Sequence, residues 1–386
     1  MINIINDSSI SLYIHIPFCA SKCRYCDFYS DPKLKSLTDN YLKAIVSEWY
    51  QIQKNLPSQY QIETIYFGGG TPSILSADQF SFLFKEIINK SNRSLQCEWT
   101  VECNPDSFSE EKAHVFLDAG VTRLSFGVQS LDNRELQLLG RIHNAPTALQ
   151  VLNSPILSLF QSINADLMYG IPLQTSGSFT ESLLTLVKLP YIKHLSLYEL
   201  TINENTPFGR HYKKLQLPDD NQIASMSECC TSICEEYGFE HYEISNYALP
   251  SFHSKHNEAY WNHQNYVGLG ASAHSYIHPY RWSNVSDTSS YIHKISTDTA
   301  AIDFKEEIDG IKLANELLFL GLRRQIGINE QLFQTHTGKA FYNSNNKNKI
   351  DSFVDRGYLF YDSPWWRPTE LGMHYADTMA RDLFEC

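Results

Sequence analysis

Short runs of β-branched, aromatic and aliphatic residues alternate with longer amphipathic stretches from Ser11 to Leu200. The runs are Ser11–Ile16, Ile62–Phe67, Glu98–Glu102, Arg123–Val128, Ile163–Met168 and His194–Leu200. Between them, apolar positions recur with helical spacing over Leu37–Gln53, Ala77–Ile88, Ser109–Ala119, Arg134–Leu139 followed by Pro146–Leu152, and Ser178–Leu186. Parallel strands need a crossover of a dozen or more residues, and a helix supplies it. Six such units predict an α/β fold whose parallel sheet curls into an open or partial barrel.

In a sheet of that kind the loops after the carboxyl ends of the strands share one face, so functional residues gather there. Cys19 to Cys26 follow the first run, Gly68 to Ser73 the second, Glu102 to Asp106 the third, Gln129 the fourth and Gly170 to Pro172 the fifth. The alternation stops near residue 245, which predicts a core domain over 1–245 and a smaller domain over 246–386. The second begins with a loop rich in His, Tyr, Trp and Asn and continues as helices over Glu306–Leu322, Asn329–Thr337, Ile350–Arg356 and Pro368–Leu383, with Tyr342–Lys349 as a connector.

With 31 Lys and Arg against 43 Asp and Glu, the formal net charge of -12 gives no general attraction to phosphate backbones, so nucleic acid is not an expected partner. No Lys or Arg precedes Lys22 and no apolar run is long enough to span a bilayer, so a cytoplasmic protein without an integral membrane segment is expected. Nine cysteines in a reducing compartment read as metal ligands or small core residues rather than disulfides. Cys229, Cys230 and Cys234 fall in a helical pattern from Asp219 to Tyr237 and read as packing residues, as do Cys97, Cys103 and Cys386.

Cys19, Cys23 and Cys26 differ, because they form CxxxCxxC on a strand-end loop. Soft thiolates at this density select zinc or an iron–sulfur cluster. Zinc needs a fourth ligand, which His15 is placed to give; a [4Fe-4S] cluster on three thiolates leaves one iron open. Taken singly, Gly68 to Gly70 reads as a tight turn, Glu102 and Asp166 as ion-pair partners, and Gln129 and Arg141 as surface polar residues. Their placement at one face of the sheet favours a common ligand.

The combination of Tyr13-Ile14-His15-Ile16-Pro17-Phe18-Cys19, Phe67-Gly68-Gly69-Gly70-Thr71-Pro72-Ser73, Glu102-Cys103-Asn104-Pro105, Leu124 to Ser130 and Leu139 to His143 resembles the radical S-adenosylmethionine (SAM) superfamily, in its coproporphyrinogen III oxidase-like branch. The resemblance implies a partial (β/α)6 barrel with a smaller helical C-terminal domain. It implies a [4Fe-4S] cluster on Cys19, Cys23 and Cys26, with the amino and carboxylate groups of SAM on the open iron. It further implies SAM contacts from Tyr13, the Tyr25 backbone, Gly69, Gly70, Thr71, Glu102, Gln129, Arg141 and Asp166. His256-Asn257-Glu258-Ala259-Tyr260-Trp261 resembles an element of the branch's haem chaperones, which implies His256 as a haem ligand beside Tyr260 and Trp261. On residues alone, His256 reads equally as a polar latch between the two domains, and His253, His263 and His274 read as structural.

Two functions of different class are open to such a chain. One is an oxygen-independent coproporphyrinogen III oxidase that decarboxylates propionates by radical chemistry. The other is a haem chaperone that keeps the cluster and SAM site and hands haem to acceptor haemoproteins; the resemblance is compatible with a homodimer. The oxidases the chain resembles carry a further cysteine two positions after the third ligand, where this chain has Phe28, and an extension before the first strand, whereas here only 18 residues precede Cys19. Both departures favour the chaperone.

Overall fold

The computed structural model describes residues 8–30 and 36–384. Strands β1 to β6 are Ser9–Ile16, Gln61–Gly69, Arg93–Cys103, Arg123–Gln129, Ser162–Tyr169 and Ile192–Glu199. They pair in chain order, each parallel to the next. All seven residues of β4 are buried, as expected for a strand covered on both faces.

The helices between them lie where the apolar spacing predicts, at Thr38–Gln53, Ala77–Glu86, Glu110–Ala119, Asn133–Leu139 with Ala145–Leu152, and Ser176–Val187. Their ends follow from local chemistry. Ser109 Oγ accepts from the Lys112 amide at the start of Glu110–Ala119, and Gly120 ends that helix in the left-handed region at φ 95°. Trp99 and Phe67 of the sheet meet Phe80 and Phe84 of one helix, which in turn meet Phe116 of the next, all in edge-to-face contacts with ring centroids 4.7 to 6.3 Å apart. Each such side chain contributes roughly 1.5–3 kcal/mol by leaving water. Cys230 and Cys234 are buried on the helix Asp220–Glu236 and Cys229 packs against the same core; Cys97 and Cys103 sit on β3 as packing residues, and Cys386 lies outside the described residues.

The second half of the chain is more extended than its sequence pattern suggests. The sheet does not stop at residue 245. After β7 (Glu240–Glu243), β8 (Asn246–Ala248) pairs antiparallel with β6, while β9 (Tyr266–Leu269) runs parallel to β1 at the opposite edge. β10 (His274–Ile277), β11 (Tyr280–Asn284) and β12 (Ile302–Glu307) continue from β9 as an antiparallel meander, giving one 12-stranded sheet. Glu306 and Glu307 therefore belong to a strand, not to the helix expected from Glu306; that helix is Gly310–Gly321. β12 is an exposed, charged edge, and such strands lack the apolar alternation that marks a buried one. A hairpin of β14 (Leu359–Asp362) and β15 (Trp365–Pro368), with β13 (Ile328–Asn329), forms a three-stranded sheet, and the run expected as Pro368–Leu383 is two helices, Glu370–His374 and Ala376–Leu383. Leu318, Phe333, Phe341, Phe353, Trp366 and Met379 build a separate hydrophobic core there.

Candidate functional site at the strand ends

Pro17 ends β1, and the chain turns into the cysteine loop. Backbone pairing carries on past the strands, since the Gly70 amide donates to the Ile16 carbonyl at 2.8 Å and the Thr71 amide to the Phe18 carbonyl at 2.8 Å. The loop after β2 is thereby pressed against Cys19. A Cβ on Gly70 would fall 2.7 Å from the Phe18 carbonyl oxygen and 2.9 Å from the Cys19 sulfur, so only glycine permits this approach. Thr71 Oγ1 donates to Cys19 Sγ at 3.5 Å. Further along, the Arg24 amide donates to the Leu139 carbonyl and the Phe208 amide to the Arg24 carbonyl, which ties the loop to the segments after β4 and β6.

Arg141 completes the surroundings of the thiols. Its Nη1 donates to Cys23 Sγ at 3.6 Å, and its Nη2 to Asn104 Oδ1 at 2.7 Å and the Gly127 carbonyl at 2.6 Å. Its Nε is buried with no protein partner. A buried donor left unpaired costs about 1–3 kcal/mol, so this one marks a place for an acceptor from outside the chain. Gln129, at the end of β4, adopts φ 69°, a conformation uncommon for non-glycine residues and typical of functional loops. A Cβ on Gly127 would meet Asn104 Oδ1, Gln129 Nε2 and Arg141 Nη2 within 3.3 Å, so three polar groups converge over that glycine.

Deeper in the barrel, Glu102 Oε1 accepts from the Tyr66 hydroxyl at 2.8 Å and Oε2 from the Gly69 amide at 3.2 Å. Burial pushes its carboxyl up to about 7, opposed by the Tyr66 hydrogen bond and reinforced by Asp166 nearby. Burial also raises Asp166, which accepts from Asn164 Nδ2 at 2.7 Å. Tyr25 lies close enough to Arg141, Cys23, Cys26 and Asp166 to feel their charges. Tyr13 donates or accepts at His15 Nδ1, 3.0 Å away, and faces a cleft on the β1 and β9 side. Sequence reasoning missed two members. Asn104 joins Arg141 to Thr71; it stands in the Glu102-Cys103-Asn104-Pro105 motif, of which Glu102 alone was given a role. Arg123, buried at the amino end of β4 and so beneath the strand ends, lies close enough to Glu98, Glu102 and Asp166 for its charge to act on theirs, with no motif to announce it.

The donor set suits a cluster with an open iron. Burial pushes the Cys26 thiol up to about 11, so metal loading would displace a proton. Among the described residues no three His, Cys, Asp or Glu groups converge on one ion position. The Cys3His zinc alternative loses its fourth ligand, because both His15 nitrogens are engaged, Nδ1 with Tyr13 and Nε2 with the Tyr29 carbonyl at 3.1 Å.

His256, which the resemblance implies as a haem ligand, lies inside the barrel wall. It is 1% exposed, its Nδ1 lies 2.7 Å from Thr64 Oγ1 and its Nε2 3.1 Å from the Tyr260 hydroxyl, and its ring stacks on Tyr66. Neither nitrogen is free to bind iron in this conformation. The residue is a buried latch that holds the helix Lys255–Trp261 against β2.

A parallel sheet with three thiols on the loop after its first strand, under a glycine loop and a buried arginine, defines a radical SAM protein. Residues 13–183 match the model of the radical SAM superfamily, which implies a [4Fe-4S] cluster and SAM. A protein of Lactococcus lactis named heme chaperone HemW is 33% identical, covering 96% of each chain. One of Bacillus subtilis with the same name is 37% identical over 86% of this chain and 87% of its own. The mitochondrial radical S-adenosyl methionine domain-containing protein 1 of Bos taurus is 31% identical, covering 97% of this chain and 87% of its own. The structure of Escherichia coli HemN, titled a coproporphyrinogen III oxidase and radical SAM enzyme, superposes with a TM-score of 0.86 over 99% of this chain and 92% of its own; at 19% identity it shows the shared fold. The chain belongs to the HemW family of radical SAM proteins. Among the described residues no helix is long and apolar enough to cross a membrane.

Proposed function

We propose that this protein is a haem chaperone, binding haem and passing it to acceptor haemoproteins, with Cys19, Cys23 and Cys26 holding a [4Fe-4S] cluster. The observation that carries the reading is full-length similarity to proteins named heme chaperones, on a chain whose cluster loop and strand-end polar groups are assembled together.

The cluster, when bound, supplies an open iron able to take the amino and carboxylate groups of SAM. The chain's own residues then bind and orient the cofactor. Arg141, with its unpaired buried Nε, is suited to pair the SAM carboxylate. Gly69, Gly70 and Thr71 keep the loop thin beside Cys19, and Glu102, Gln129 and Asp166 offer acceptors and donors to the methionyl and ribose groups. Tyr13 and the backbone at Tyr25 flank the ends of the cofactor.

Phe28 supports the chaperone over the oxidase. It stands 66% exposed beside the cluster loop, where the oxidases this chain resembles carry a further cysteine. Anaerobically reconstituted protein is expected to bind haem stoichiometrically, to deliver it to an apo-haemoprotein, and to leave coproporphyrinogen III unconverted in the presence of SAM and a reductant. Efficient conversion would overturn the assignment in favour of the oxidase.

A further inference from the structure

The cleft faced by Tyr13 has a volume of about 450 Å³, within the range of small-molecule sites. Tyr13, Phe28, Tyr29, Tyr260 and Tyr266 give it its aromatic walls, and His15, Asp27, Ser272, Ala273 and His274 complete the lining. Phe28 and Tyr29 continue directly from Cys26, so one wall is the loop that carries the third thiol. Tyr260 forms the opposite wall, packed edge-on against Tyr266 at 4.7 Å and anchored by its hydroxyl at His256 Nε2.

His274 differs from its neighbours. Tyr13 engages His15, Glu316 engages His263 at 2.8 Å, and Thr64 and Tyr260 engage His256. His274 stands exposed on β10, lines the cleft, and among the described residues has no hydrogen bond, ion pair or ring contact at its imidazole. Partial desolvation of the ring against the cleft wall, with the Arg281 charge beyond it, lowers its pKa, which favours the neutral ring with a lone pair available. An unengaged neutral imidazole beside a flat aromatic slot has the chemistry of an axial ligand to a metalloporphyrin.

We infer that this cleft is the haem seat, with His274 as the iron ligand, Tyr260 and Tyr266 as ring-packing walls, and His256 as the residue that positions Tyr260 from behind. The inference rests on the haem reading above and changes which histidine meets iron. It accounts for a histidine and a tyrosine four residues apart on one short helix, since that spacing puts them on one face and brings Nε2 to the hydroxyl. No Lys or Arg lines the cleft and Asp27 does, so the propionates must point away from Asp27 toward the open mouth and solvent.

The test is haemin titration of the full-length reconstituted protein, followed by Soret absorbance and electron paramagnetic resonance, on wild type, His274→Ala, His256→Gln and Tyr260→Phe. His274→Ala is expected to lose the imidazole-ligated signature and to bind at least 10-fold more weakly, with cluster absorbance unchanged and the signature restored by added imidazole. His256→Gln and Tyr260→Phe should keep the signature and weaken binding only several-fold. Retention of signature and affinity in His274→Ala overturns the inference, as does loss of the signature in His256→Gln with a native circular dichroism spectrum. One-for-one competition between SAM and haemin also overturns it, by making the cleft part of the SAM seat. Absence of haem binding by the wild type is a different result, because it removes the haem reading itself.

Discussion

Burial holds the His256 imidazole down at about 3, against an ordinary value of about 6.5. Below pH 6.5 the unfolded chain takes up a proton that the folded chain refuses, so this histidine's contribution is present above that pH and lost as pH falls toward 3. At pH 5 the loss is about 2 kcal/mol. Glu102, raised to about 7, acts in the opposite sense, costing stability as pH rises from its unfolded value of 4.5 through 7. Comparing wild type with His256→Gln isolates the histidine: the difference in melting temperature between pH 7.5 and 5 should be smaller in the variant, and an equal difference would contradict the buried neutral ring. Arg141 carries the other residue-scale prediction. Arg141→Gln removes a charged, half-unsatisfied donor and is expected to weaken SAM binding about 10- to 100-fold, as a charge-assisted hydrogen bond of about 1.5–3 kcal/mol implies, while iron content stays near wild type. Calorimetry on the reconstituted variant measures it.

At the scale of elements, the cysteine loop has little regular structure of its own and is positioned by what surrounds it. The loop after β2 holds it from one side, and the segments ending in Leu139 and starting at Phe208 hold it from the other. Gly70→Val should therefore act through geometry: its side chain would collide with the backbone carbonyl of Phe18, which cannot rotate away, and with the Cys19 sulfur. Overpacking of this kind costs about 1–3 kcal/mol, and iron per chain should fall well below that of wild type after identical reconstitution. Cys23→Ser should lose the cluster absorbance altogether. Equal iron in Gly70→Val would mean the loop can shift away without consequence.

For the whole molecule, the two largest of the four hydrophobic clusters among the described residues are the controlling fact. One lies along the 12-stranded sheet, and the other is built around Phe333, Phe341, Phe353 and Trp366. Phe353→Ala creates a cavity in the second core only and should cost about 3–5 kcal/mol. Calorimetry is expected to show an early transition from the C-terminal part while cluster absorbance persists to the main transition; simultaneous loss of both would show that the two cores unfold as one.

The sequence by itself determined the six parallel strands, the helices between them, and the loop that bears Cys19, Cys23 and Cys26, because strand and helix periods and a dense thiol spacing are local signals. Glu102 and Gln129 stand at the carboxyl ends of β3 and β4, whereas Asp166 lies inside β5 and Arg141 follows the helix Asn133–Leu139. The tertiary structure decided what those residues touch. It added β7 to β12 to the main sheet, strands of three to six residues that are too short to show a clear period, and it gave Asn104 a place beside Arg141 and Arg123 a place beneath Glu102 and Asp166. It also separated the histidines. A sequence shows that His256 and His274 are imidazoles, but only packing shows that one has both nitrogens engaged in the barrel wall and the other stands unengaged at the edge of a cleft.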